Sequence, residues 1–75
     1  MNYGTIINNA TFTPEDGGHP FTIRKGEIVE MLECTGMYQA IAIIDDGSHG
    51  RSFSGRRTGN VLASCVAPIL TIRML

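Results

Sequence analysis

The chain has 75 residues, a formal net charge of −1, a pI near 6.0 and 43% hydrophobic residues. At that length one domain forms and buries only about 60% of the surface of its unfolded chain, so a second domain is excluded and every strand must serve a single core. The near-neutral balance argues against a nucleic-acid or anionic-membrane surface, which needs a clustered basic excess, and no apolar run approaches the roughly 18 residues of a membrane span.

From the start, residues 3–12 read as one strand interrupted or bulged near Asn8 and Asn9, expected to pair with the C-terminal part of the chain. The opening Met1-Asn2-Tyr3-Gly4 lacks the basic start and apolar centre of a secretion signal, which leads to the expectation of a cytoplasmic protein. Residues 14–20 combine two prolines, two glycines and Asp16, which is loop chemistry, and the loop is acidic at Glu15 and Asp16. Residues 21–33 hold two apolar segments on either side of Lys25-Gly26. Phe21 with Ile23, and Val29 with Met31, alternate with other residues in the period-two manner of half-buried strands, and Gly26 suits the positive φ of a tight turn.

Residues 34–38 form a short turn, and the isoleucine-rich run 39–44 is expected to be the most buried strand, with the small residues Ala40 and Ala42 facing inward. Residues 45–57 form the longest polar segment, with three arginines, His49 and Phe53, and read as a solvated hairpin loop. No phosphate-cradling motif accompanies it. Strand character resumes over 58–62, residues 63–65 allow a single helical turn, and a last strand spans 66–70 before a short tail. No segment holds a helical period. Five short strands of this kind predict an all-β fold, a small and strongly bent antiparallel barrel occupying residues 1–75 as a single domain.

Cys34 and Cys65 are far apart in sequence, and His19 and His49 are the other soft ligands. Isolated ligands of this kind do not present the paired short spacings of structural zinc, so no metal and no cofactor are expected, and both cysteines are read as free thiols. Both histidines sit in glycine-rich loops and Cys65 has no identifiable partner base, so no catalytic set is assigned.

Two stretches carry a family resemblance. Phe21-Thr-Ile-Arg-Lys-Gly-Glu-Ile-Val-Glu-Met-Leu-Glu33 resembles the Leu-Ser-Phe-x-Lys-Gly-Asp-x-Ile-x-Val-Leu-Glu segment of Src-homology-3 domains. Thr58-Gly-Asn-Val-Leu-Ala-Ser-Cys-Val-Ala-Pro68 resembles that family's Gly-Tyr-Val-Pro-Ser-Asn-Tyr-Val-x-Pro ending. Order and spacing agree over about residues 6–70. The resemblance implies a five-stranded barrel of two orthogonally packed antiparallel sheets, a core of Ala10, Ile23, Val29, Met31, Ala40, Val61 and Val66, and a long loop at residues 13–20 flanking a binding face.

The same resemblance implies a non-catalytic protein-interaction module cut from a larger signalling or cytoskeletal protein. Its partner would be a proline-rich or basic peptide segment, from another protein or from the same chain. Where the family places its groove aromatics and proline, this chain has Phe12 and Pro14, Met37, Leu62 and Cys65. The candidate ligand-binding residues are therefore Phe12, Glu15, Asp16, Met37, Tyr38, Leu62 and Cys65, with Tyr38 offering an aromatic wall beside Met37. The alternative is a small nucleic-acid-binding barrel of the oligonucleotide-binding or cold-shock kind. Such barrels stack bases on aromatics interleaved with basic residues, and here the arginines of one loop accompany only Phe53. Neither nucleic acid nor membrane is expected as a partner.

Overall fold

The computed structural model describes residues 2–45 and 55–69. In chain order these form β1 (Tyr3–Ile6), β2 (Ala10–Pro14), β3 (Phe21–Ile23), β4 (Ile28–Thr35), β5 (Tyr38–Asp45) and β6 (Gly55–Leu62), a single 3-10 turn at Ala63–Cys65, and β7 (Val66–Pro68). All strand pairs are antiparallel, in the order β3-β2-β6-β5-β4-β1-β7, and the all-β sheet curls into a half-barrel.

Seven strands stand where five were expected. The segment 3–12 is two strands rather than one, because the chain changes neighbours at residues 7–9. Before that point β1 pairs with β4 and with β7, setting Ile6 opposite Val66, and after it β2 pairs with β3 and β6. Hydrogen bonds hold the changeover against the Lys25-Gly26 turn. The Gly26 N–H donates to the Ile6 carbonyl at 2.7 Å, and the Lys25 N–H donates to Asn9 Oδ1 at 2.8 Å. Gly26 itself has φ of 98°, a conformation that costs a residue with a Cβ but not glycine. Beyond this turn the two flanking strands part, β3 toward β2 and β4 toward β1 and β5.

The core gathers Ile6, Ala10, Phe12, Ile23, Val29, Ile41, Ile43, Val61, Cys65 and Val66, with Phe21 and Met31 packed against it. Ala10, Ile23, Val29, Val61 and Val66 were expected there. Ala40 was expected to face inward with Ala42. Instead Ala40 is only half-buried, and Ala42, though buried, lies outside the cluster. The register explains the inversion. Ile41 pairs with Met31 on one side and Gly59 on the other, so the odd-numbered positions of β5 face the concave side, where each branched side chain contributes about 1.5–3 kcal/mol by burial.

The same parity buries Gln39, and its amide is not left unpaired. Gln39 Nε2 donates to the carbonyls of Leu32 at 3.1 Å and Ala40 at 2.9 Å, bridging the register shift between Met31 and Cys34. The polar loop expected at 45–57 is shorter than its composition suggests. Gly55, Arg56 and Arg57 already belong to β6, paired with Asp45, Ile44 and Ile43. His49, Arg51 and Phe53 lie outside the described residues, as does the end of the chain from Leu70 onward.

Candidate ligand-binding face

The start of β5 and the end of β6 lie side by side, with Tyr38 directly opposite Leu62. The Ala63 N–H donates to the Met37 carbonyl at 2.8 Å, which ties the 3-10 turn to the turn before β5. Met37, Tyr38 and Leu62 are thereby brought together, and they remain 63%, 51% and 43% exposed. Tyr3, Ile7, Ile28 and Leu32 are exposed as well, but of the exposed large apolar side chains only Tyr38 and Leu62 line the adjoining cleft.

That cleft arises from strand divergence. β2 and β6 pair only at Thr13 with Asn60 and Pro14 with Gly59. Away from that pairing the strands separate toward Asn9 on one side and the 3-10 turn on the other, leaving a cavity of about 360 Å³ lined by Asn9, Thr11, Thr13, Tyr38, Asn60 and Leu62, with Ala10 and Cys65 also contributing. A neighbouring hollow of about 490 Å³ shares Thr13, Tyr38 and Asn60 and adds Thr35. The surface is an amide- and hydroxyl-rich groove with Tyr38 as its aromatic wall and Leu62 on its apolar side, and Met37 precedes Tyr38 in the adjoining turn without lining it.

Phe12 does not belong to it. Its side chain is fully buried, its ring centroid 5.0 Å from that of Phe21, so it fills the core and cannot wall an open groove. The alternation of β2 is responsible, because Ala10, Phe12 and Pro14 share the buried face and Thr11 and Thr13 the exposed one. Cys65 does border the cleft, but it is 9% exposed and counts among the core residues. Asn60, Thr11, Thr13 and Thr35 were missed from sequence. Strand parity was the available signal, since Asn60 lies two residues from Leu62 and the two threonines flank Phe12.

The two acids of the long loop are folded onto β6. The Glu15 N–H donates to the Thr58 carbonyl at 3.0 Å, and Thr58 Oγ1 donates to Glu15 Oε1 at 2.7 Å. Asp16 Oδ1 accepts from the Gly18 N–H at 2.9 Å and from Arg57 Nη2 at 3.2 Å, while the Arg57 guanidinium carbon lies 5.9 Å from the centre of the Phe21 ring. The Gly18 N–H first, and Arg57 second, hold the Asp16 carboxyl below its ordinary pKa, because both favour the charged form. A second ion pair, Arg56 with Glu30 at 3.3 Å, joins β6 to β4 across β5.

Both cysteines are free, Cys34 exposed and Cys65 buried. Among the described residues no three side chains of His, Cys, Asp or Glu gather to hold a metal ion, and no helix is long and apolar enough to cross a membrane. Comparison with protein-family models, with curated proteins and with solved structures finds no match for this chain.

Proposed function

We propose that this chain is a non-catalytic protein-interaction module of the Src-homology-3 type, with an altered peptide groove, acting within a larger cytoplasmic signalling or cytoskeletal protein. In this reading β1, β4, β5, β6 and β7 are the five barrel strands, and β2 and β3 are the arms of the long loop. Two observations support it: the β4-β5-β6 meander extended beyond β4 by β1 and then β7, and the 3-10 turn immediately before the last strand.

The observation that carries the function is the exposure of Tyr38 and Leu62 at the edge of a cleft, with exposed Met37 next to Tyr38 in the chain. Large apolar side chains clustered beside polar hydrogen-bonding groups are the ordinary make-up of a recognition surface, in which a few anchors supply most of the affinity. From Leu62 past Asn60 to Thr58 the outward positions of β6 span roughly 14 Å, the length of about four extended residues. An extended segment with apolar anchors over Leu62 and Met37 and a basic residue toward the Glu15–Asp16 loop fits that course.

Ordinary Pro-x-x-Pro peptides fit it less well. With Phe12 buried and methionine in place of an indole, the groove lacks paired aromatic walls and an N–H donor, and a deficit of about 2–3 kcal/mol moves a micromolar ligand toward millimolar. The test is substitution on the face itself. Leu62→Glu and Met37→Glu should abolish binding of a basic, apolar-anchored peptide while leaving the thermal midpoint within a few degrees of wild type. Undiminished binding by both folded variants would remove this face from the function.

A further inference from the structure

The short pairing of β2 with β6, Thr13 with Asn60 and Pro14 with Gly59, fixes where the main-chain groups of both strands point. The Glu15 N–H donates to the Thr58 carbonyl at 3.0 Å, so the odd-numbered residues on the β2 side and the even-numbered residues of β6 turn their N–H and C=O groups toward each other. The other edge of β6 agrees, because the Ala63 N–H, at an odd position, donates to the Met37 carbonyl on the β5 side at 2.8 Å. Thr11 therefore directs its N–H and C=O toward β6 as Thr13 does, and Leu62 directs its N–H toward β2 as Asn60 does. A continued ladder would join Thr11 to Leu62. Instead the strands part there, and both residues line the cleft of about 360 Å³. On its other edge β2 is paired with β3, with Ala10 opposite Ile23 and Phe12 opposite Phe21. At Thr11 the side facing the cleft is an open strand edge, which is a template for a further strand.

We infer, resting on the peptide-binding reading above, that the partner enters this wedge as a β-strand, its main chain pairing with the Thr11 N–H and C=O while a neighbouring carbonyl accepts from the Leu62 N–H. The occupant is an extended, proline-free segment of a partner protein. The wedge closes where Thr13 meets Asn60, so about two residues enter it at a rise of roughly 3.4 Å each, and the rest of the segment passes over the outward positions of β6. None of the described residues lining the wedge is charged, which leaves main-chain pairing as its chief means of holding a ligand. A left-handed proline-rich helix is poorly matched to it, since a proline facing Thr11 has no N–H to give the Thr11 carbonyl.

The test is a single-position N-methyl scan of a capped, proline-free decapeptide with leucine anchors and one arginine, titrated into wild type and Thr11→Pro and read by proton–nitrogen shifts. N-methylation of the peptide residue that faces Thr11 should weaken binding about ten-fold, and positions outside the wedge should change it less than two-fold, as loss of one desolvated hydrogen bond requires. Thr11→Pro removes an N–H from an open strand edge, where proline is tolerated, so the variant should fold and bind the unmodified peptide about ten-fold more weakly. Shifts at Tyr38 and Leu62 from a peptide that tolerates N-methylation at every position overturn the strand mode and leave the binding face standing. Wild-type affinity in folded Thr11→Pro overturns it equally. Should Thr11→Pro not fold, the scan on wild type decides alone. Absence of shifts at Tyr38 and Leu62 with the unmodified peptide overturns the peptide-binding reading itself, and the strand mode with it.

Discussion

Gly59 lies directly against Phe12: a Cβ placed on Gly59 would come within 2.6 Å of Phe12 Cζ and 2.5 Å of the Thr13 carbonyl oxygen. The ring can occupy the core only because β6 is bare at that point, and the β2–β6 pairing at Pro14 and Gly59 depends on the same close approach. Gly59→Ala should therefore destabilise the fold by about 1–3 kcal/mol, as overpacking does, since one of the atoms in the way is backbone and cannot swing aside. Urea unfolding checks this, and an unchanged midpoint would show that β2 and β6 are not so closely apposed.

Core and face should separate cleanly under mutation. Phe12→Ala should cost about 3–5 kcal/mol, most of what a domain of this size possesses, and Val61→Asp should prevent folding by placing an unpaired charge among apolar neighbours. Leu62→Ala, one residue from Val61 but on the exposed side, should change stability by no more than about 0.5 kcal/mol. Thermal unfolding of the three variants checks the assignment, and a well-folded Val61→Asp would contradict it.

That contrast marks what the sequence could convey. Period-two alternation placed Ile23 and Val29 inside without reference to partners, and the family resemblance placed Val61 and Val66 there. In β5 both parities are apolar, so alternation was silent, and the inward choice of Ile41 and Ile43 over Ala40 and Ala42 depends on register with Gly59 and Met31, which is a tertiary fact. Phe12 was misassigned to the groove because the resemblance carried an aromatic position across without the packing that decides where its ring points. Asn60 was missed because an exposed asparagine becomes a groove residue only where β2 diverges from β6. The Asp16–Arg57 contact spans the long loop and β6, and no local pattern foretells it.

The pH response follows from Asp16. Its folded-state pKa lies below the ordinary 3.8, so folding favours the charged carboxylate. This contribution is fully present above the unfolded-state value, near pH 4, and is lost as pH falls through the lower folded value. Asp16→Asn should accordingly flatten the stability profile below about pH 4 while leaving its shape near neutrality unchanged. Thermal midpoints recorded across that acid range check the sign, and a variant that loses stability on acidification as steeply as wild type would contradict it.

Thiol chemistry tests the burial of Cys65. Iodoacetamide should modify Cys34 readily in the folded protein and Cys65 only in denaturant, as mass spectrometry would read directly. Chelator and reductant should leave the dispersed amide spectrum unchanged, and collapse of that spectrum on dialysis against chelator would require a structural metal after all.

In the proposed function Met37, Tyr38 and Leu62, with Asn60 in the adjoining cleft, receive an extended peptide. Proton–nitrogen shift mapping with an arginine-bearing, apolar-anchored peptide tests it most directly, with a Pro-x-x-Pro peptide and a single-stranded oligonucleotide titrated alongside. Saturable shifts are expected at those four residues with the first peptide, weakening as salt is raised, with little or no response to the other two. Shifts produced by the oligonucleotide on this face, or low-micromolar binding of the unmodified Pro-x-x-Pro peptide centred on Met37 and Leu62, would contradict it.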